Sequence, residues 1–197
     1  MHDCIYSAYC TSEYCDRSCP SLAESSYLLA RNSIDMRNPV FQAQDASIDS
    51  AISILSKCDR RVGVWIASGN PEGTADLITY CAICEYGKGS RLHCSVYHLN
   101  FSVYIDTIRE SWKMSQKPQS LEYMDIWINN CDVLIISGFR YMNFNDFECQ
   151  TLFKMMDNRM SRSQTTLIVT PELNSLVGKS TDFLPRLKSE LGRAVIR

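Results

Sequence analysis

The chain has 197 residues, of which 45% are apolar and 21% charged, and its formal net charge is −2. These proportions belong to a soluble globular protein with length for one α/β domain and a small appendage. They exclude a global basic field for nucleic acid, and no apolar run approaches the roughly eighteen residues of a membrane span. The opening Met1-His-Asp-Cys4 lacks a basic-then-apolar signal pattern, which predicts a cytoplasmic protein without membrane contact.

Four of the ten cysteines fall within the first nineteen residues. Cys4, Cys10, Cys15 and Cys19 are separated by five, four and three residues. In a reducing compartment such clustering points to metal rather than disulfides. Four thiolates this close together can close a tetrahedron around Zn²⁺ and organise a segment too short for its own core. A structural zinc is therefore expected. A [4Fe–4S] cluster takes the same four thiolates, and free thiols on a tail are the plain alternative. Cys58, Cys81, Cys84, Cys94, Cys131 and Cys149 lie in apolar stretches and are expected to fill the core.

A helix is expected over 21–30, and Asn38-Pro39 marks a linker. Ile48, Ile52 and Leu55 recur at helical spacing, with Asp45 placed to cap. The chain then alternates. Strands are expected at 62–67, 93–99, 132–136, 165–170 and 194–196. Helices are expected near 75–86, 101–113, 120–129, 144–160 and 180–191. Such alternation predicts a parallel sheet with helices on its faces, and ligands at the carboxyl ends of its strands. The resulting division is a cysteine module with one helix at 1–35, a linker at 36–47 and a core domain at 48–197.

The turn after the first strand reads Ser68-Gly-Asn-Pro-Glu-Gly-Thr-Ala-Asp76. Strand, glycine-bearing turn and helix form the layout of a phosphate-binding loop, G-x-x-x-x-G-K-[ST], whose amides cradle phosphate and whose lysine neutralises it. With Gly69 as the first glycine, the second glycine position falls on Thr74, beside Gly73. The lysine position is Ala75 and the hydroxyl position Asp76. Asn70, Pro71 and Glu72 fill the interior of the loop. A carboxylate at position 76 repels triphosphate, so ATP with Mg²⁺ is not expected there. The plain alternative is a strand–turn–helix with no ligand.

Two further strand ends depart in the same direction. A catalytic Asp-Glu pair would end the 132–136 strand, where Ser137-Gly138 stands instead. The strand ending at Thr170 runs into Pro171-Glu172, so Thr170 and Glu172 occupy the place of a polar sensor.

Taken in order, these strand ends resemble the AAA+ core of bacterial and phage replicative helicase loaders, the DnaC/DnaI-like family. The resemblance spans about Ile48 to Arg197. It rests on Gly69-Asn-Pro-Glu-Gly-Thr74, Asp132-Val-Leu-Ile-Ile-Ser-Gly138, Thr166-Leu-Ile-Val-Thr-Pro-Glu-Leu173 and Phe183-Leu-Pro-Arg-Leu-Lys188. Tyr104 to Trp112 also resembles the helix after the second strand of these loaders, and the cysteine block with Tyr27 to Ile34 resembles a leader of phage-type versions. The resemblance implies a P-loop NTPase-like fold without a C-terminal lid. It also implies oligomeric assembly in DNA replication, with Arg186 as an arginine finger acting in trans.

The missing lysine and acids lead us to expect a pseudo-ATPase that binds a replicative helicase or an active loader paralogue. The docking element would be the cysteine module with helix 21–30. Two alternatives are a working loader ATPase, with Lys88 or Lys179 replacing the absent lysine, and an adaptor that blocks helicase loading. Single-stranded DNA within the assembly would meet basic and aromatic groups drawn from Arg109, Lys113, Lys117, Arg140, Tyr141, Arg159 and Arg162. Solvated surface charge is the plain reading of those residues.

Overall fold

Two stretches, Val133-Leu-Ile-Ile-Ser137 and Thr165-Thr-Leu-Ile-Val-Thr170, show no polar alternation, as strands covered on both faces should. Both are buried along their whole length. The computed structural model describes residues 27, 30–32, 34, 53, 63–87, 95–139, 144–171 and 191–195, with backbone alone at 84–87 and 191–195.

The elements are β1 (Gly63–Ala67), α1 (Pro71–Gly87), β2 (Val96–Asn100), α2 (Phe101–Ser111) and α3 (Gln119–Asn130). They continue as β3 (Val133–Ser137), α4 (Asp146–Ser161), β4 (Thr165–Thr170) and β5 (Leu191–Val195). The strands form one sheet in the order β2-β3-β4-β1-β5, and every neighbouring pair is parallel. The β4 strand is thus inserted between β1 and β3, which the sequence order alone does not reveal. The expected class of parallel sheet flanked by helices is what forms. Among the described residues, no helix is long and apolar enough to cross a membrane.

The two-residue period of the strands sorts the core into two layers. Val64 and Ile66 of β1, Val96 of β2, Val133 and Ile135 of β3, and Leu167 and Val169 of β4 pack with Ala75, Ile78, Cys81 and Ala82 of α1. Tyr97 and Leu99, Leu134 and Ile136, and Ile168 face the other way. They pack with Ile105 of α2, Leu121 and Ile128 of α3, and Leu152, Phe153 and Met156 of α4. Cys81, Cys131 and Cys149 are buried within these layers. Cys58 and Cys94 lie outside the described residues.

Helix starts follow local capping chemistry. Asn70 precedes Pro71, the favoured first-turn residue, so α1 begins four residues before the expected 75. Asn100 ends β2 and caps α2 with no intervening loop, its side chain accepting from Val103 N at 3.1 Å. Asn145 and Glu148 form a reciprocal capping box, each bond 3.0 Å, which sets the start of α4 at Asp146. The last strand begins at Leu191, three residues before its expected position.

Arg159 corrects one expectation. It is 1% exposed and lies inside α4, not on a surface that nucleic acid can reach. Its Nη1 donates to Ile128 O and Cys131 O, its Nη2 to Asp132 O and Thr165 O, and its Nε to Thr166 Oγ1. It thereby ties the end of α3 to the amino ends of β3 and β4. Burial pulls the guanidinium below its ordinary value and pushes the neighbouring Cys131 thiol up.

Candidate functional site

The strands β1, β2 and β3 point their carboxyl ends at one side of the sheet, where ligands of open parallel sheets sit. Ser68 follows β1 and is anchored by its N–H to Thr170 O at 2.8 Å. Its hydroxyl lies 2.6 Å from Thr74 Oγ1 and accepts from Asn70 N at 3.1 Å. Asn70 then caps α1, its Oδ1 accepting from Gly73 N at 3.1 Å and its carbonyl from Thr74 N at 2.9 Å. A Cβ at Gly73 would overlap the Asn70 side chain, so glycine serves the cap here. Amides that a phosphate loop turns toward its ligand are thus bonded within the turn itself.

The lysine position lies in the core. Ala75 is fully buried among Val64, Ile78 and Ile135, and with α1 starting at Pro71 its side chain faces the sheet. Glu72 is exposed in the first turn, where a carboxylate meets the positive end of the helix. Asp76, in the second turn, points at β2, with Oδ1 3.2 Å from His98 Nδ1.

His98 belongs to this cluster and escaped sequence reading. On β2 it shares a face with Val96, toward α1. Its register partner is Ile135, so Ser137 lies two residues further along β3 on the same face. His98 Nε2 is 2.8 Å from Ser137 Oγ. The signal was the two-residue period of the 93–99 strand, but its meaning required the neighbouring strand to be known.

Gly138 follows with φ +69°, a left-handed conformation that favours glycine, and a Cβ there would overlap the Asn100 side chain. Its carbonyl accepts from Ser102 N at 3.1 Å and from the Ser102 hydroxyl. An acidic side chain at this position would meet both the backbone penalty and Asn100. At the sensor position, Thr170 is fully buried and its hydroxyl accepts from Trp65 Nε1 at 2.8 Å. Glu172 and Arg186 lie outside the described residues, as do Cys4, Cys10, Cys15 and Cys19. Among the described residues, no group of three or more His, Cys, Asp or Glu side chains converges to hold a metal ion.

The basic candidates are mostly engaged. Arg109 Nη2 donates to Glu148 Oε1 at 2.8 Å, and its Nη1 lies 3.7 Å from Asp106 Oδ1. Lys117 Nζ donates to Asp125 Oδ2 at 2.6 Å. Arg162 Nη1 donates to Asn129 O at 3.1 Å, and Lys113 is exposed. Arg140 and Tyr141 lie outside the described residues.

The sequence matches no protein-family model and no curated protein. Among solved structures it is similar to a candidate primosome component from Streptococcus pyogenes serotype M3, at 14% identity and TM-score 0.53, covering 91% of this chain and 90% of that one. It is also similar to domain III of the replication initiation protein DnaA from Thermotoga maritima, at 12% identity and TM-score 0.53, covering 77% of this chain and 61% of that one. A third is AMPPCP-bound DnaA from Aquifex aeolicus, at 9% identity and TM-score 0.54, covering 79% of this chain and 48% of that one. This chain thus spans about half the length of the larger initiator. At these identities the shared property is the fold alone, a parallel sheet flanked by helices.

Proposed function

We propose that this chain is a helicase-loader-like protein of the DNA-replication machinery that neither binds nor hydrolyses ATP. The observation that carries the reading is the closure of the nucleotide position by the chain's own groups. The amides of Gly73 and Thr74 are bonded to Asn70, Ala75 faces the core, and Asp76 and Ser137 are both bonded to His98. Removing a charge-stabilising group from a transition state typically costs about 3–4 kcal/mol. A site that lacks its lysine and both acids at once has no route to useful turnover.

The working parts are then contact surfaces. In this reading a replicative helicase, or an active loader paralogue, is the partner. The cysteine-bearing residues 1–35 are the docking element, with Cys4, Cys10, Cys15 and Cys19 holding a structural zinc. Arg186 completes a neighbour's site in an oligomer, and single-stranded DNA is met within that assembly. Support for a docking segment joined to the core comes from Arg31 and Asn32. Arg31 Nη2 donates to Val96 O, and Asn32 Oδ1 accepts from His98 N, both at 2.9 Å.

Calorimetric titration with ATP and Mg²⁺ tests the first half of the reading, with no heat of binding and no phosphate release expected. Saturable binding would overturn it. Gel filtration with the host's replicative helicase tests the second half, with co-elution expected in the absence of nucleotide.

A further inference from the structure

Asp76, His98 and Ser137 come from α1, β2 and β3, and the only covalent links between them are long stretches of chain. A carboxylate accepts and cannot donate, so the proton facing Asp76 belongs to His98 Nδ1, and in the neutral imidazole Nε2 is left to accept the Ser137 hydroxyl. The order Asp, His, Ser is that of a hydrolytic triad. The exposure is reversed, however. Ser137 is 1% exposed, whereas the Asp76 and His98 side chains are 17% and 11% exposed. A nucleophile has to meet its substrate, and here the serine is the deepest member.

We propose that these three residues form a metal-free brace that joins α1 to β2 and β3 at the position where a bound nucleotide and its metal would otherwise join them. His98 is its joint. The ring links Asp76 to Ser137, and the backbone N–H of the same residue holds Asn32, so the segment around residues 31–32 is seated on the braced strand. The brace keeps the carboxyl end of the sheet in one arrangement without a ligand. This inference rests on the reading that no nucleotide occupies the site.

The test is a double-mutant cycle in the full-length chain, followed by urea unfolding. Asp76→Ala and Ser137→Ala should each lower the folding equilibrium constant at least fivefold. The double variant should be no worse than about twofold beyond the more destabilising single, because both act through His98. In a His98→Ala background the non-additivity should vanish. Factors that simply multiply in both backgrounds would overturn the brace. A second measurement needs no variant to fold: ¹⁵N NMR of the wild-type imidazole should show His98 as the Nδ1–H tautomer. An Nε2–H tautomer would equally overturn it. Binding of ATP with Mg²⁺ in the calorimeter would sink the functional reading and leave the cycle intact, whereas an additive cycle without ATP binding would sink only the brace.

Discussion

At the amino ends of β3 and β4 one long cationic side chain, Arg159, gathers the carbonyls of Ile128, Cys131, Asp132 and Thr165. At the carboxyl ends of β1, β2 and β3 the polar groups are short and bonded in two small sets: Ser68 to Thr74, and Asp76 to His98 to Ser137. The amino end is closed by one group with many partners. The carboxyl end is closed by several groups with one or two partners each. Loss of a hub orphans many buried acceptors at once, whereas loss of one link in a chain of short side chains orphans few. The comparison also separates two uses of charge. Arg159 is buried for structure, and the carboxyl end, where this fold commonly holds anions, offers a carboxylate instead of a cation.

The largest effect should come from Arg159→Ala. It removes the donor shared by four carbonyls and the Thr166 hydroxyl, of which Asp132 O keeps a bond from Thr165 N, and by analogy with breaking a buried charged network it should cost about 3–5 kcal/mol. Urea unfolding checks this, and a loss comparable to that of an exposed arginine would erase the contrast between the two ends. Next comes Gly138→Ala at the carboxyl end. The positive φ and the Asn100 side chain together should cost about 1–3 kcal/mol. For a chain of this size the melting temperature should fall by about 2–4 °C per kcal/mol, readable by calorimetry.

The smallest effect concerns alkaline pH. Burial pushes the Cys149 thiol up from 9.0 to about 11, and raises the Cys131 thiol in the same direction. The folded state therefore holds these protons more tightly than the unfolded state. The corresponding stability is complete below pH 9 and is lost as pH climbs toward 11. Tyr97, raised by burial to about 12, extends the same trend. Urea midpoints between pH 8 and 11 should fall. Cys131→Ala at the amino end and Cys149→Ala near the carboxyl end should each flatten the slope; identical slopes in all three proteins would contradict this assignment.

The alternation of apolar runs with amphipathic stretches made the strands and helices legible, because burial on both faces leaves a strand such as Val133–Ser137 no polar positions. The expected 165–170 strand has the observed bounds. The start of α1 was legible in principle, since Asn70-Pro71-Glu72 is a cap followed by a favoured first turn, but the same residues also suit an open turn. The altered positions at Ala75, Asp76, Ser137 and Gly138 could be listed from the sequence. Their fates could not, because which way Ala75 faces depends on where the helix begins.

By itself, then, the sequence determined the class of the fold and the chemistry available at each strand end, since both follow from residue type and period along the chain. Only the tertiary structure decided that Arg159 is a buried hub rather than a surface cation, and that His98 joins Asp76 to Ser137. Both depend on which strands are neighbours and in what register, and parallel pairing between distant segments leaves no local mark on either one.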